Sequence, residues 1–199
     1  MTPRTAPRKG ERSSSKKQAL IDATLRLVAE KGVKGASIRS ITRAAGVTEA
    51  AIYRHYPSKA DLCLQIYTEI VSDMIQSKER IAATRISLRE KLREWVRVTY
   101  EHFDQHGDAF TFVFLTTHDF PRKHRPLVHR QGEIFLKMVE DARAEGRLKN
   151  LPTKLAFSHF VGLLLSVPRL INEGVLEKPA SDYAGEVLTA ICRVFQIDK

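Results

Sequence analysis

The sequence predicts an all-α protein: an N-terminal three-helix helix-turn-helix head, then a larger helical body, with about nine helices in total. Two observations carry this. Apolar residues recur at i, i+3, i+4 and i+7 in successive windows, and no strand pattern interrupts them. A third concerns size: 199 residues, 43% hydrophobic and 28% charged, suffice for one or two domains with a substantial apolar core.

Residues 1–15 are rich in Arg, Lys, Pro, Thr and Ser and nearly lack large apolar side chains, which predicts a disordered basic arm. Beside a helix-turn-helix, such an arm lies along the minor groove or stays a solvated tail; the composition leaves both open. From Lys16 to Lys31, Leu20, Ala23, Thr24, Leu27 and Val28 mark one face of a helix that Gly32 ends.

Residues 16–60 form the predicted head, organised around Ser37 to Lys59. Ser37 caps a helix with the apolar run Ile38, Ile41, Ala44 and Ala45, and Gly46 stops it. Without a Cβ, Gly46 enters the left-handed region at little cost, so the chain reverses and Val47 turns inward. Thr48 caps a second, short helix from Glu49 to His55, since Pro57 disfavours helical geometry at Tyr56. Two helices across a glycine turn suit the DNA major groove, although the same spacing also occurs in buried αα-corners.

The chemistry of this segment suggests its contacts. Ser37 and Thr48, at helix N-termini, offer hydroxyl and backbone N–H groups to phosphates, and Arg39 faces outward as a phosphate or base-edge partner. Glu49, Ala50 and Ala51 are short enough for the backbone to approach base edges. Glu49 accepts from a cytosine amine in one reading and balances the helix dipole in the other. Tyr53, Arg54, His55 and Lys59 would bracket the groove through phosphate oxygens.

Three motifs stand in order: Ala29-Glu30-Lys31-Gly32, Ala45-Gly46-Val47 and Ile52-Tyr53-Arg54-His55-Tyr56-Pro57-Ser58-Lys59. In content and spacing the segment resembles the DNA-binding domain of the TetR family of bacterial transcriptional regulators. It departs at Val28 and Tyr56, where that family often carries Phe, and both changes keep the positions apolar. The resemblance covers about the N-terminal quarter to third of the chain. It implies DNA contacts by Tyr53, His55 and Lys59, a homodimer joined by two C-terminal helices, and a ligand pocket in the body.

The charge distribution agrees with a phosphate-facing head. Residues 1–60 hold 13 Lys/Arg and 4 Asp/Glu, a net +9 out of the chain's +10, leaving a nearly neutral body. A basic solvated face or an anionic-membrane surface is the competing reading.

Residues 61–199 form the predicted body. A long helix starts at Ser58 with Leu62, Ile66, Ile70 and Met74 on one face, the lever between head and body, and breaks at Ala82 to Ser87. The next runs from about Ser87 to His106, with Arg89, Arg93 and Arg97 as a solvated face, until Gly107-Asp108 interrupts it. A short aromatic helix around Phe110 to Leu115 follows, then a loop framed by Pro121 and Pro126, and a helix from Leu127 to Gly146. Between Pro152 and Glu173 a helix is apolar nearly all round and needs cover on both sides. The last spans Pro179 to Ile197.

The last two helices are expected to pair with their copies in a second subunit. Phe160, Gly162, Leu163, Ser166, Tyr183, Val187, Ile191 and Val194 would lie at that interface, Gly162 and Ser166 permitting close approach. Two heads then read a palindrome with half-sites about 34–36 Å apart. Trp95, Tyr100, Phe103, Phe110, Phe114, His118, Phe135, Met138 and Phe157 are candidates for the wall of a mostly apolar ligand cavity, their alternative role being ordinary core. His102 and His106, at i, i+4, invite a metal reading, but Asp104 lies off their face and the expected state is a solvated pair.

No cofactor is expected, and no phosphate loop, HExxH motif or nucleophile signature points to an enzyme. Cys63 and Cys192 form no metal spacing and read as buried free thiols of a reducing cytoplasm. No apolar run approaches the ~18 residues expected of a membrane span, and no signal-peptide core follows Met1, so a cytoplasmic protein is expected. The expected function is a homodimeric repressor released from operator DNA by a small molecule; an activator and a ligand-independent architectural DNA binder are the alternatives.

Overall fold

The computed structural model describes residues 9–118, 125–146 and 152–197. Among the described residues the chain is all-helical: α1 (Lys9–Gly35), α2 (Ile38–Ala45), α3 (Glu49–Tyr53), α4 (Lys59–Ala83), α5 (Leu88–Gln105), α6 (Gly107–Phe110), α7 (Arg125–Ala144), α8 (Thr153–Asn172) and α9 (Ala184–Phe195). A π-helical turn, Thr111–Leu115, follows α6, and a 3-10 turn, Ala180–Tyr183, precedes α9.

The first helix begins earlier than expected. Residues 9–15 of the predicted arm are helical, and residues 1–8 lie outside the described residues. Ser, Lys and Arg without apolar neighbours read as disorder, yet a helix once nucleated by Leu20 to Val28 adds further turns at little cost. Gly32, with φ 69° and ψ 168°, breaks the helical geometry where the expected end lies. α1 packs on α2 and also on α6. Leu25, absent from the predicted stripe, is buried.

The lever helix α4 has Ser58 as its N-cap, whose hydroxyl accepts from Asp61 N. Its buried set is Leu62, Cys63, Ile66, Tyr67, Val71, Met74, Ile75 and Lys78; Ile70 of the expected stripe is only half-buried. The inward face is broad because both α5 and α7 pack against this helix. Ser87 and Glu90 form a capping box at the start of α5. At His106 (φ −138°, ψ 52°) the helical path breaks, so Gly107 and Asp108 open α6 rather than interrupt α5. The predicted loop at 119–124 lies outside the described residues, and Pro126 stands in the first turn of α7.

The body closes on aromatic rings. Phe135 stacks on Phe160 with centroids 4.3 Å apart and meets Trp95, Phe157 and Phe195 at 5.9, 5.7 and 6.2 Å. A second group joins Phe103, Phe110 and Phe114, with 5.2 and 4.8 Å separations. Asp104, on α5, accepts from Ala180 N (2.6 Å) and Ser181 N (3.0 Å), fastening the turn before α9.

One expectation is corrected in α8. Its 20 residues, with a mean hydropathy of 1.4 over the best window, meet the length and composition of a membrane span, and only 33% of that window is buried. Ala156, Phe160, Leu164, Val167, Pro168 and Ile171 face the core. Pro168 has no N–H to give Leu164 O four residues back. The buried Tyr100 hydroxyl donates to that carbonyl instead, at 3.1 Å.

Candidate nucleic-acid interface

Local hydrogen bonds set the geometry of the reading unit. Ser37 is extended (φ −89°, ψ 154°); its side chain accepts from Ser40 N, and the Ser40 hydroxyl takes the Ser37 N–H, each at 3.0 Å. Such a cap stabilises a helix by about 1 kcal/mol. Gly46 has φ 65° and ψ 33°, and its N–H donates toward the last turn of α2. Val47 N then donates to Thr42 O at 3.0 Å, closing the reversal. Thr48 caps α3 by accepting from Ala51 N at 3.3 Å.

The five-residue α3 is a single turn with one buried anchor, Ile52, which meets a core containing Val28, Ala36, Ile41 and Tyr56. Every neighbour of Ile52 suited to DNA points outward. Thr48, Glu49, Ala50, Tyr53, Arg54 and His55 are exposed, Tyr53 with 52% of its surface free, and on α2 Ser37, Arg39 and Arg43 are exposed too. Arg43 was missed in the sequence because it falls in the last turn beside Gly46, where a cation also serves the helix dipole.

Lys59 departs from its expected place. Its ammonium turns inward and donates to Val33 O (2.6 Å), in the last turn of α1, and to Ala36 O (2.9 Å), in the turn that leads to α2. The expected phosphate partner is therefore a clamp binding α4 to the α1–α2 turn. Spacing alone cannot reveal this, because the carbonyls it meets are 23 and 26 residues away. A second tie joins α1 to α4: Lys17 donates to Glu69 at 3.1 Å, and this hydrogen bond holds the lysine above its ordinary range. Behind α3 lies a cleft of about 420 Å³ lined by Leu20, Val47, Ile52 and Tyr56, with Lys16, Lys17 and His55 beside them.

The nine residues expected around one ligand cavity divide among separate packed groups. Trp95, Phe135 and Phe157 share the ring cluster on Phe160, and Phe103, Phe110 and Phe114 form the second. His118 packs edge-on to Tyr67 and Phe112, at 5.5 and 4.6 Å. Tyr100 is committed to Leu164 O. Met138 lines a cleft of about 280 Å³ with Thr84, Leu88 and Asp141. His102 and His106 have rings 5.2 Å apart; burial first, and the neighbouring His106 second, hold His102 below its ordinary range.

The expected dimer residues also divide. Phe160, Val187 and Ile191 are buried in the chain's own core, a correction that follows from the inward stripe of α8 and α9 serving the body itself. Gly162 and Val194 are exposed, and Leu163, Ser166 and Tyr183 are half-buried.

Residues 20–66 match the family model described as bacterial regulatory proteins, tetR family. The transcriptional repressor KstR2 of Rhodococcus jostii is 29% identical over 96 residues, 48% of this chain and 47% of that protein, so the match spans about half the relative's length. The fold resembles the transcriptional regulator FadR from Bacillus subtilis, solved with stearoyl-CoA, at a TM-score of 0.72 and 17% identity over 87% of this chain and 96% of that one. It also resembles AibR, solved with isovaleryl coenzyme A and operator DNA, at 0.73 and 16% over 92% of this chain and all of that one. The match to the tetR family model lies on the capped α2–Gly46–α3 unit, and the likeness of fold to solved regulators extends through the body.

Proposed function

We propose that the protein is a homodimeric transcriptional repressor that binds a palindromic operator and leaves it when a mostly apolar small molecule occupies the body. The observation that carries DNA recognition is the outward set Thr48, Glu49, Ala50, Tyr53, Arg54 and His55 around the single buried anchor Ile52, in the N-terminal 60 residues that hold nearly all the net charge. Ser37, Arg39 and Arg43 extend that face along α2. Lys59 acts behind it as a clamp. The role is regulatory rather than catalytic, in a cytoplasmic protein.

Pairing of subunits through α8 and α9 is supported by apolar surface that the chain does not cover. Leu155 is 44% and Val194 40% exposed, and a Cβ on Gly162 would meet nothing within 4 Å. An apolar helix with one open face calls for a partner. An acyl group is the effector class favoured by FadR and AibR, which were solved with acyl-coenzyme A ligands.

Fluorescence anisotropy with a duplex from upstream of the protein's own gene, against a scrambled duplex over a salt series, tests the proposal. Preferential binding with a steep salt slope, lost on adding an acyl-CoA, is expected. Binding to neither duplex at low salt would overturn the DNA-binding reading. Binding indifferent to every acyl-CoA and small apolar ligand tried would favour an architectural role, and a monomer in sedimentation would remove the palindrome.

A further inference from the structure

Lys78 is the one charged residue among the described residues that lies in the buried interior, with 2% of its surface exposed. It sits on α4 facing α5. Its Nζ donates to Trp95 O at 3.1 Å and to the Thr99 hydroxyl, and lies 4.9 Å from the centre of the Trp95 ring. Both oxygen partners are neutral, and among the described residues no carboxylate pairs with it; burial pushes it well below the ordinary lysine range. One turn beyond Thr99, His102 has its Nε2 buried with no hydrogen-bond partner, and the charge of Lys78 is felt there. A buried cation without an anion costs several kcal/mol, and an apolar side chain of similar size would be the more stable choice. The two hydrogen bonds tie α4 to α5 but leave the ammonium without a counter-charge.

We infer that Lys78, with Thr99 and His102 beside it, is the receptor for the acidic head group of a largely apolar effector, a carboxylate supplying the counter-charge that the fold withholds. This rests on the effector-responsive reading above and names the chemistry of its ligand. The apolar tail would lie against the rings next to the lysine, Trp95 and, beyond it, Phe135 and Phe160. Seating a carboxylate at Nζ parts α4 from α5, because Lys78 now spans the two helices by its bonds to Trp95 and Thr99. The charge would thus meet its partner and move the lever in one event.

Trp95 is the only tryptophan in the chain, so its emission reports on the site without DNA. The test titrates wild type and K78M with dodecanoate, methyl dodecanoate and dodecanoyl-CoA, following Trp95 fluorescence and, separately, operator anisotropy. Dodecanoate is expected to shift Trp95 emission and release the operator, with methyl dodecanoate about tenfold to a hundredfold weaker, the range for loss of a charge-assisted hydrogen bond. K78M should lose the dodecanoate response while melting at a higher temperature than wild type, which separates a missing site from a damaged fold. T99V should weaken dodecanoate less than K78M does. Equal binding of acid and ester, undiminished binding of dodecanoate by K78M, or Trp95 emission unmoved by dodecanoate would each overturn the inference. Operator release by dodecanoyl-CoA alike in wild type and K78M would overturn it too, yet leave the effector-responsive reading standing. Failure to bind DNA at all would sink that reading, while the Trp95 titration would still decide the role of Lys78.

Discussion

The head closes on a few aliphatic side chains and a series of backbone caps, whereas the body closes on interlocked rings. In the head, Val28, Ile41 and Ile52 are the core, and Ser37, Gly46, Thr48 and Lys59 fix where each helix starts or stops. In the body, Phe135 alone touches four other rings. The difference follows from size. A one-turn helix such as α3 buries too little to position itself by packing, so hydrogen bonds at its ends must do so. Long helices carry enough apolar surface for ring contacts to set their positions.

The largest expected effect lies on the body's side of this contrast. Phe135→Ala should cost about 3–5 kcal/mol, the range for deleting a buried ring, measured by urea unfolding with circular dichroism. A loss below about 1 kcal/mol would mean that the ring cluster is not the hub described. In the head, Gly46→Val forces a β-branched residue to φ 65°; about 1–2 kcal/mol or more of strain is expected, together with loss of operator binding in anisotropy. If this variant bound DNA normally, the turn geometry would not be the determinant of recognition.

Much of this contrast is legible in the sequence, and unequally so. The head can be read residue by residue because its determinants are local: Ser37 with Ser40, Gly46 with Thr42 and Arg43, Thr48 with Ala51 all act within four or five positions. The body's decisive contacts are not local. Tyr100 is spoken for by Leu164, 64 residues away, because of a proline in the same helix as its acceptor. A stripe of apolar residues therefore identifies a helix face without telling whether a ring will line a cavity, join its own core or face another subunit. Lys78 lies on a continuous inward stripe of α4, where a lysine normally marks the solvent side, so periodicity alone passes over it.

Smaller effects sharpen the same contrast. Ser37→Ala removes the capping box and should cost about 1 kcal/mol, seen as an earlier urea midpoint and weaker operator binding. Acidification should act on the body. Burial holds both His102 and His118 below their ordinary range, so the unfolded chain binds protons more readily than the folded one. The stability they contribute is present above about pH 6.5, the unfolded histidine value, and declines as pH falls through their lower folded values. A melting temperature that dropped between pH 7.5 and 5, with a shallower slope in a His102→Gln variant, would agree; a flat profile would not. The smallest expected change in stability is that of Tyr53→Phe, within about 0.5 kcal/mol for an exposed site, while operator affinity falls about tenfold if its hydroxyl meets a phosphate. Unchanged affinity would remove Tyr53 from the interface.

The inward turn of Lys59 has a mechanical consequence. Because its ammonium holds Val33 O and Ala36 O, the first turn of α4 and the start of α2 move together. Lys78 lies about 28 Å farther along the same helix, at 1.5 Å per residue. Were α4 to pivot near Lys78, a tilt of about 5° would carry the clamped end sideways by roughly 2.5 Å over that arm. With Lys59 tied to backbone rather than to a flexible side chain, little of that displacement would be absorbed on the way. In a symmetric pair of subunits the two heads would swing in opposite senses, doubling the change in their spacing, so that a small angular play deep in the body becomes a mismatch with the fixed pitch of the double helix.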